Sequence, residues 1–261
     1  MIKTPNDFRD IPIPEPVTRS SAADYHQVEI DLDGLANRQP LIDVREYGIA
    51  CKSVYSRPYA PYYRAFSSAL EGVFVRDSVA QKLIQVNNVL LDYGAEVLAL
   101  DGYRSVQLQT ELWNHFMSRA LEQLPEASRG DLEKFASLYC SNPSGYDPED
   151  FRTWPVHLSG GAIDLTLRSL YDKQEAFMGS IFDDADDISF TTHFESTKLT
   201  SQSGIEARRN RRLLYHTMTG AGFQNYSFEW WHFDYGSQMW VKNGDLQCKA
   251  LYGRTELGSD V

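Results

Sequence analysis

Cysteine is scarce in this chain. The three cysteines, Cys51, Cys140 and Cys248, are odd in number and lie far apart along 261 residues. A small secreted protein stapled by disulfides carries more cysteines, in even number and at short spacings. The sequence therefore predicts reduced thiols, as in a cytoplasmic protein, and it disfavours a metal site built from cysteine.

Long apolar runs and a targeting segment are also missing. No stretch approaches the roughly 18 uninterrupted apolar residues that a membrane-spanning helix needs. The segment 1–16 is polar and contains several prolines, without the basic-then-apolar order of a secretory signal. We therefore expect a soluble protein of the cytoplasm that has no membrane partner.

Positive charge is in deficit. The chain has 25 Lys and Arg residues against 36 Asp and Glu residues, a formal net charge of −11. Such a surface repels phosphate backbones, so no nucleic-acid partner is expected. One basic cluster, made of Arg208, Arg209, Arg211 and Arg212, opens an apolar stretch and is interpreted as the solvated face of a helix.

Enough apolar residues are present for a packed core. Hydrophobic residues make up 42% of the chain and charged residues 23%, which is typical of a globular protein. Its length suits one large domain. Prolines and weak periodicity predict an extended N-terminal arm over residues 1–40. The main domain is predicted at 41–240, followed by a C-terminal extension at 241–261.

Helices and strands are mixed without a regular alternation. Helical spacing of apolar residues predicts helices that start near Asp77 and that span about 106–123 and 207–219. Apolar runs or alternation predict strands at 41–44, 96–100, 160–167 and 228–235. This mixture favours an α+β fold over a doubly wound parallel sheet.

Residue types that bind metal are spread over the second half of the chain. His157 precedes Asp164 with Gly160 and Gly161 between them, so a turn can bring both side chains to one point. His232 would supply a third ligand from a distant strand. A catalytic zinc takes three such ligands and keeps a fourth position for water. Glu229, three residues before His232, would lie beside the metal without binding it.

Each of these residues also has a purely structural interpretation. A loop histidine such as His157 can hydrogen-bond to the backbone, and Asp164 can cap the end of a strand. Glu229 and His232 can be cross-strand partners at the surface. Composition alone leaves both interpretations open.

Three short segments favour the catalytic interpretation: DGYR at 101–104, HLSGGAIDLTL at 157–167 and EWWHF at 229–233. In this order they resemble the D-alanyl-D-alanine dipeptidases, zinc peptidases that include the VanX-type vancomycin-resistance enzymes. The similarity extends over about residues 41–240. It implies a compact α+β domain whose central antiparallel sheet is flanked by helices, as in the zinc D,D-carboxypeptidases and the Hedgehog signalling domain.

The resemblance also implies roles for particular residues. His157, Asp164 and His232 correspond to the ligands of one zinc ion per chain. Glu229 corresponds to the general base. Arg104, the arginine of DGYR, corresponds to the group that holds the carbonyl oxygen as it becomes an oxyanion. The expected partner is a small peptide substrate.

Two positions qualify the resemblance. Asp183 corresponds to a carboxylate that binds the substrate's ammonium group, although Asp183, Asp184, Asp186 and Asp187 can also be a solvated acidic loop. Pro155 stands two residues before His157, where the family commonly has serine. The missing hydroxyl affects substrate preference and leaves metal binding intact.

Two other functions are compatible with the same motifs. The first is a D,D-carboxypeptidase that trims peptidoglycan stem peptides. The second is a catalytically inactive zinc-binding protein that has kept the fold. Glu229 and Arg104 argue against the second function, because a structural metal requires neither.

Overall fold

The computed structural model describes residues 7–16, 22–137, 139–184, 186–195 and 201–258. Parts of the predicted N-terminal arm, at 1–6 and 17–21, and the end of the predicted C-terminal extension, at 259–261, lie outside the described residues. The described residues form an α+β domain with a central sheet flanked by helices, which confirms the predicted fold class.

Five α-helices and seven strands are found in the described parts of the chain. The helices are α1 (Asp77–Leu90), α2 (Val106–Gln123), α3 (Arg129–Ala136), α4 (Gln202–Gly220) and α5 (Gln238–Asn243). The strands are β1 (Leu41–Asp43), β2 (Ala50–Cys51), β3 (Phe74–Arg76), β4 (Ala95–Asp101), β5 (Ala162–Ser169), β6 (Gln224–Asn225) and β7 (His232–Asp234).

The central sheet has the strand order β2-β4-β5-β7-β6. The pairs β4–β5, β5–β7 and β6–β7 are antiparallel, as predicted for the core of the sheet, and the short edge strand β2 adds one parallel pair with β4. Strands β1 and β3 form a separate antiparallel pair. The central strands β4 and β5 are the long ones, and they support the site.

The register of the sheet brings three polar residues together. Asp164 on β5 lies opposite Asp101 on β4 and opposite His232 on β7. The β4–β5 pairing shifts by one residue between Ala99 and Asp101. Such a bulge re-aims the side chain that follows it. The three side chains therefore stand in one row across neighbouring strands.

Helix α1 shows why the core forms on one side of this sheet. Its buried residues Val79, Leu83, Val86 and Leu90 recur at intervals of four, three and four, so they line one face. That face packs against β4, and α4 packs against α1 and β5. The helices thereby cover one face of the sheet.

Helix α4 corrects the interpretation of the basic cluster. Arg211 is only 2% exposed, and its guanidinium donates to the carbonyl oxygens of Met178, Ile188 and Phe190 at 2.7 to 2.8 Å. Buried polar groups need such partners, and a guanidinium offers five N–H donors. The cluster is therefore not simply a solvated face, because Arg211 fastens the segment that carries Asp183.

The strand predicted at 228–235 is much shorter in the structure. Only His232–Asp234 is extended, and a turn precedes it. In this turn the Glu229 N–H donates to Tyr226 O at 2.9 Å, and the His232 N–H donates to Glu229 O at 3.3 Å. Residues three apart on a strand project to opposite faces. The turn therefore allows Glu229 to approach the His232 ring.

Candidate active site

His157 reaches the site from a short 3-10 turn, Val156–Ser159, just before β5. Its Nδ1 lies 2.7 Å from the carbonyl oxygen of Gly102, and a carbonyl only accepts, so Nδ1 carries the proton. Nε2 is then a free lone pair that faces Asp164 Oδ2 at 3.5 Å. Gly160 ends the turn with φ 68°, a conformation that favours glycine.

His232 lies between two carboxylates. Its Nδ1 is 2.9 Å from Asp164 Oδ1, and its Nε2 is 2.8 Å from Asp234 Oδ2. Ser237 Oγ donates to the other oxygen of Asp234 at 2.6 Å. All four side chains are buried. Asp234 therefore orients the ring so that Nδ1 faces Asp164.

These three residues fit a zinc ion. One donor atom each from His157, Asp164 and His232 lies within 4.8 Å of the other two. Ligands about 2.0 to 2.1 Å from a tetrahedral zinc stand roughly 3.4 Å apart. Carboxylates also outnumber cations around the cluster, which favours a bound cation. Those acidic residues are Asp101, Asp164, Asp183, Asp234 and Glu229, against the single guanidinium of Arg104.

Arg104 is held rigidly beside the cluster. Its guanidinium donates to Asp101 Oδ2 at 2.7 Å, to Gln109 Oε1 at 3.1 Å and to Tyr55 Oη at 3.2 Å. Asp164 Oδ2 is 3.7 Å away. Burial works against its charge, but these acidic neighbours outweigh it and hold the pKa of Arg104 well above its usual range. Arg104 is therefore a permanent positive charge at the pocket.

Glu229 borders the cluster from the turn before β7. Its Oε2 lies 3.8 Å from His232 Nδ1, and its side chain is 30% exposed. Burial raises the pKa of Glu229 to about 8, and the neighbouring His232 opposes this rise. Glu229 thus stands beside the donor atoms and keeps access to water, and a cation bound at those atoms would lower its pKa and favour the ionised carboxylate.

Asp183 lies in the same pocket and not in a solvated acidic loop. Tyr55 and Tyr62 donate their hydroxyls to Asp183 Oδ2 at 3.0 and 2.5 Å. Its backbone has φ 57°, a left-handed conformation that is uncommon outside glycine and often found at functional sites. Burial, followed by the charge of Asp164, raises the pKa of Asp183 to about 7.

Sequence reasoning missed the residues that position this site. Asp101 is the first residue of the DGYR segment. The sequence motifs gave it no role, although its carboxylate accepts a hydrogen bond from Arg104. Asp234 follows His232 by two residues, so alternation along a strand places both on one face. This two-residue spacing was therefore a signal in the sequence that Asp234 lies beside His232. The aromatic stretch that contains Tyr55 and Tyr62 is compatible with the wall of a cleft, but such loops more often simply pack.

One pocket is lined by all six predicted site residues. Its lining comprises Tyr25, Arg104, Gln109, Ser137, Tyr139, Cys140, Ser141, Pro155, Val156, His157, Asp164, Asp183, Tyr226, Glu229, His232 and Met239. The fold thus brings carboxylates, imidazoles and a guanidinium from distant parts of the chain to one pocket. Such convergence is what hydrolysis of a small substrate requires.

A family model described as D-Ala-D-Ala dipeptidase matches residues 70–249, which is more than half of the chain. The chain belongs to this family. The resemblance inferred from the three motifs is thereby confirmed, and so is the prediction that the protein is a metallopeptidase. The family also indicates zinc as the metal.

Two dipeptidases are similar in sequence to this chain, and one solved structure overlaps it in part. The D-alanyl-D-alanine dipeptidase of Synechocystis sp. is 26% identical over 240 residues, which cover 84% of this chain and 92% of that protein. The dipeptidase of Enterococcus faecium is 30% identical over 165 residues, which cover 59% and 69%. A solved zinc complex of the vancomycin-resistance D,D-pentapeptidase VanY overlaps with a TM-score of 0.34 at 13% identity, covering 72% of this chain and 89% of that one.

Within the described ranges, no helix combines the length and the apolar composition that crossing a bilayer requires.

Proposed function

We propose that this enzyme hydrolyses D-alanyl-D-alanine or a similar short peptide, with one zinc ion held by His157, Asp164 and His232. The observation that supports this most is the meeting of the three donor groups with Glu229 and Arg104 in one pocket. A structural metal site needs neither a free carboxylate nor a guanidinium beside it. The arrangement therefore favours catalysis over metal storage.

Each histidine of the donor set has a nitrogen atom that is oriented to bind zinc. His157 would bind through Nε2, because Gly102 O takes the proton of Nδ1, and His232 would bind through Nδ1, because Asp234 holds Nε2. Such outer partners set the tautomer and orientation of metal-binding histidines. When bound, zinc polarises a carbonyl and lowers the pKa of water to about 7.

Glu229 acts as the general base in this proposal. Its carboxylate accepts a proton from the attacking water and then passes it to the amine that leaves when the peptide bond breaks. A base must lie within hydrogen-bond reach of the proton that it removes. The 3.8 Å between Glu229 Oε2 and His232 Nδ1 places the carboxylate next to the donor atoms.

Arg104 stabilises the oxyanion that forms on the scissile carbonyl. Its guanidinium is fixed by Asp101 and Gln109 before substrate arrives, so little reorganisation is needed during the reaction. A preorganised donor of this kind typically contributes about 2.7 to 4 kcal/mol to transition-state stabilisation.

Asp183 binds the free ammonium group of the substrate, and we expect Asp183→Asn to test this. Loss of the charge should raise KM for a free dipeptide about tenfold to a hundredfold, because a hydrogen bond to a charged group is worth roughly 1.5 to 3 kcal/mol. Steady-state kinetics would measure it. Asp186→Asn, at an exposed position nearby, is the matched control. Equal KM values in Asp183→Asn and wild type would contradict the assignment.

A substrate panel tests the function as a whole. Zinc-loaded protein is incubated with D,D, L,D and L,L dipeptides and with an N-acylated peptide that ends in D-Ala-D-Ala, and released amino acid is quantified. We expect the free D,D dipeptide to be the preferred substrate. Faster cleavage of the N-acylated peptide would identify a D,D-carboxypeptidase instead.

A further inference from the structure

Tyr25 lies in the catalytic pocket although it comes from far outside the catalytic motifs. It belongs to the short 3-10 helix Ala22–Gln27, well before residue 70, where the family match begins. Its side chain is 3% exposed and lines the same pocket as Glu229 and His232. The ring packs on His26 with the centroids 4.0 Å apart.

Among the residues that the structure describes, no contact of the Tyr25 hydroxyl meets ordinary hydrogen-bond geometry, although the backbone of Val156 lies close to it. A buried hydroxyl without a partner costs free energy, so such groups are rare unless a ligand or water completes them. By contrast, the hydroxyls of Tyr55 and Tyr62 both donate to Asp183, which lines the same pocket.

The proton of this hydroxyl needs an acceptor. Burial, followed by the charge of Asp234, raises the pKa of Tyr25 above its usual range, so the phenol keeps its proton at neutral pH. The charge of Asp234 is itself taken up by His232 and Ser237. An acceptor on a bound molecule would complete this hydroxyl.

The pocket lining beside Tyr25 includes Pro155, which has no N–H and no hydroxyl, and Val156. The phenol of Tyr226 lines the same pocket and is a second hydroxyl near Tyr25. The Tyr55 hydroxyl contacts both Asp183 and Arg104. Tyr25 instead lies within the influence of the charge of Asp234, the residue that supports His232. The two groups thus border different parts of the cluster.

We propose that Tyr25 is a substrate-binding residue whose hydroxyl donates a hydrogen bond to the free carboxylate of the dipeptide. The inference rests on the proposed dipeptidase function. An ammonium group at Asp183 and a carbonyl at Arg104 leave the terminal carboxylate as the remaining strong acceptor of such a substrate. The N-terminal segment 22–27 is then part of the active site and helps to select peptides with a free carboxyl end.

Tyr25→Phe tests the proposal, because it removes the hydroxyl and keeps the ring packed on His26. We expect KM for D-Ala-D-Ala to rise about tenfold to a hundredfold with little change in kcat, as for loss of a hydrogen bond to a charged group. The C-terminal amide of the same dipeptide should be cleaved equally by variant and wild type. Tyr171→Phe, at a residue that is 89% exposed, is the control.

A purely structural role would lower the midpoint of thermal unfolding and affect the acid and the amide by the same factor. That result, or an unchanged KM for the acid, would overturn the proposal.

A binding measurement keeps this test separate from the proposed function. Calorimetry on zinc-loaded Glu229→Gln, with and without Tyr25→Phe, measures the affinity for D-Ala-D-Ala without turnover. We expect the double variant to bind more weakly by the factor seen in KM. If the wild type does not hydrolyse the dipeptide, the proposed function fails, and these affinities still decide the role of Tyr25. Equal affinities, or no binding by either protein, would refute it.

Discussion

The Glu229→Ala enzyme is expected to bind zinc as the wild type does and to lose hydrolysis by about 10²- to 10⁴-fold, the range that general acid-base catalysis contributes. The reason lies in the geometry. Glu229 borders the donor atoms of His157, Asp164 and His232 without being one of the three clustered ligands. Its removal therefore deletes the proton acceptor and leaves the metal site intact.

Two measurements on one preparation check this expectation. Metal analysis gives the zinc content per chain, and a coupled assay for released D-alanine gives kcat. Glu229→Gln separates charge from shape, and we expect it to be as inactive as Glu229→Ala. Glu133→Ala, which removes a carboxylate from the surface helix α3, should behave as wild type. Wild-type turnover in Glu229→Ala would exclude the base assignment.

Local patterns predicted some regular elements closely, whereas α4 begins about five residues before the predicted 207 and the short helices α3 and α5 were not predicted. The apolar spacing after Ser105 indicated a helix over about 106–123, and α2 has these bounds with the Ser105 side chain accepting from the Leu108 N–H. Strand β4 is likewise found within one residue of the predicted 96–100. Capping residues and one buried face set the ends of these elements. Both features depend on residues that are close together in the sequence.

Features that depend on distant partners were not predictable in this way. The burial of Arg211 depends on three carbonyl groups from the 178–190 segment, which no helical periodicity reveals. The turn before β7 depends on Asn225, whose Nδ2 donates to Glu229 O at 3.1 Å and to His232 O at 2.9 Å. Aromatic composition alone suggested a longer strand there, because such residues are common in strands.

The candidate site shows the same difference between residues that local motifs reveal and residues that only the folded chain brings together. The motifs pointed to His157, Asp164 and His232, and the structure places their donor atoms together. What the motifs left out are the residues that hold the site from outside it, such as Asp234 behind His232. Tyr25 is further removed still, since only the folded chain brings the N-terminal segment to the pocket.

The His157→Ala protein is expected to lose zinc. Even changes in the outer partners of a metal ligand typically cost 10- to 100-fold in metal affinity, so loss of a ligand itself should cost more than about 100-fold. His157 is well suited to this test, because its Nε2 faces Asp164 at 3.5 Å while Nδ1 is tied to Gly102 O. Removing the ring leaves two of the three donors.

Zinc affinity is measured by competition with a chromophoric chelator, and zinc content by metal analysis after gel filtration. His193→Ala is the matched control, because His193 lies outside the donor cluster and should keep full zinc content. The metal-free wild type serves as the reference for folding, since zinc bound only to the folded state also stabilises it. Retention of about one zinc per chain by folded His157→Ala would mean that the ion binds elsewhere, and the assignments of Asp164 and His232 as its ligands would fall with that of His157.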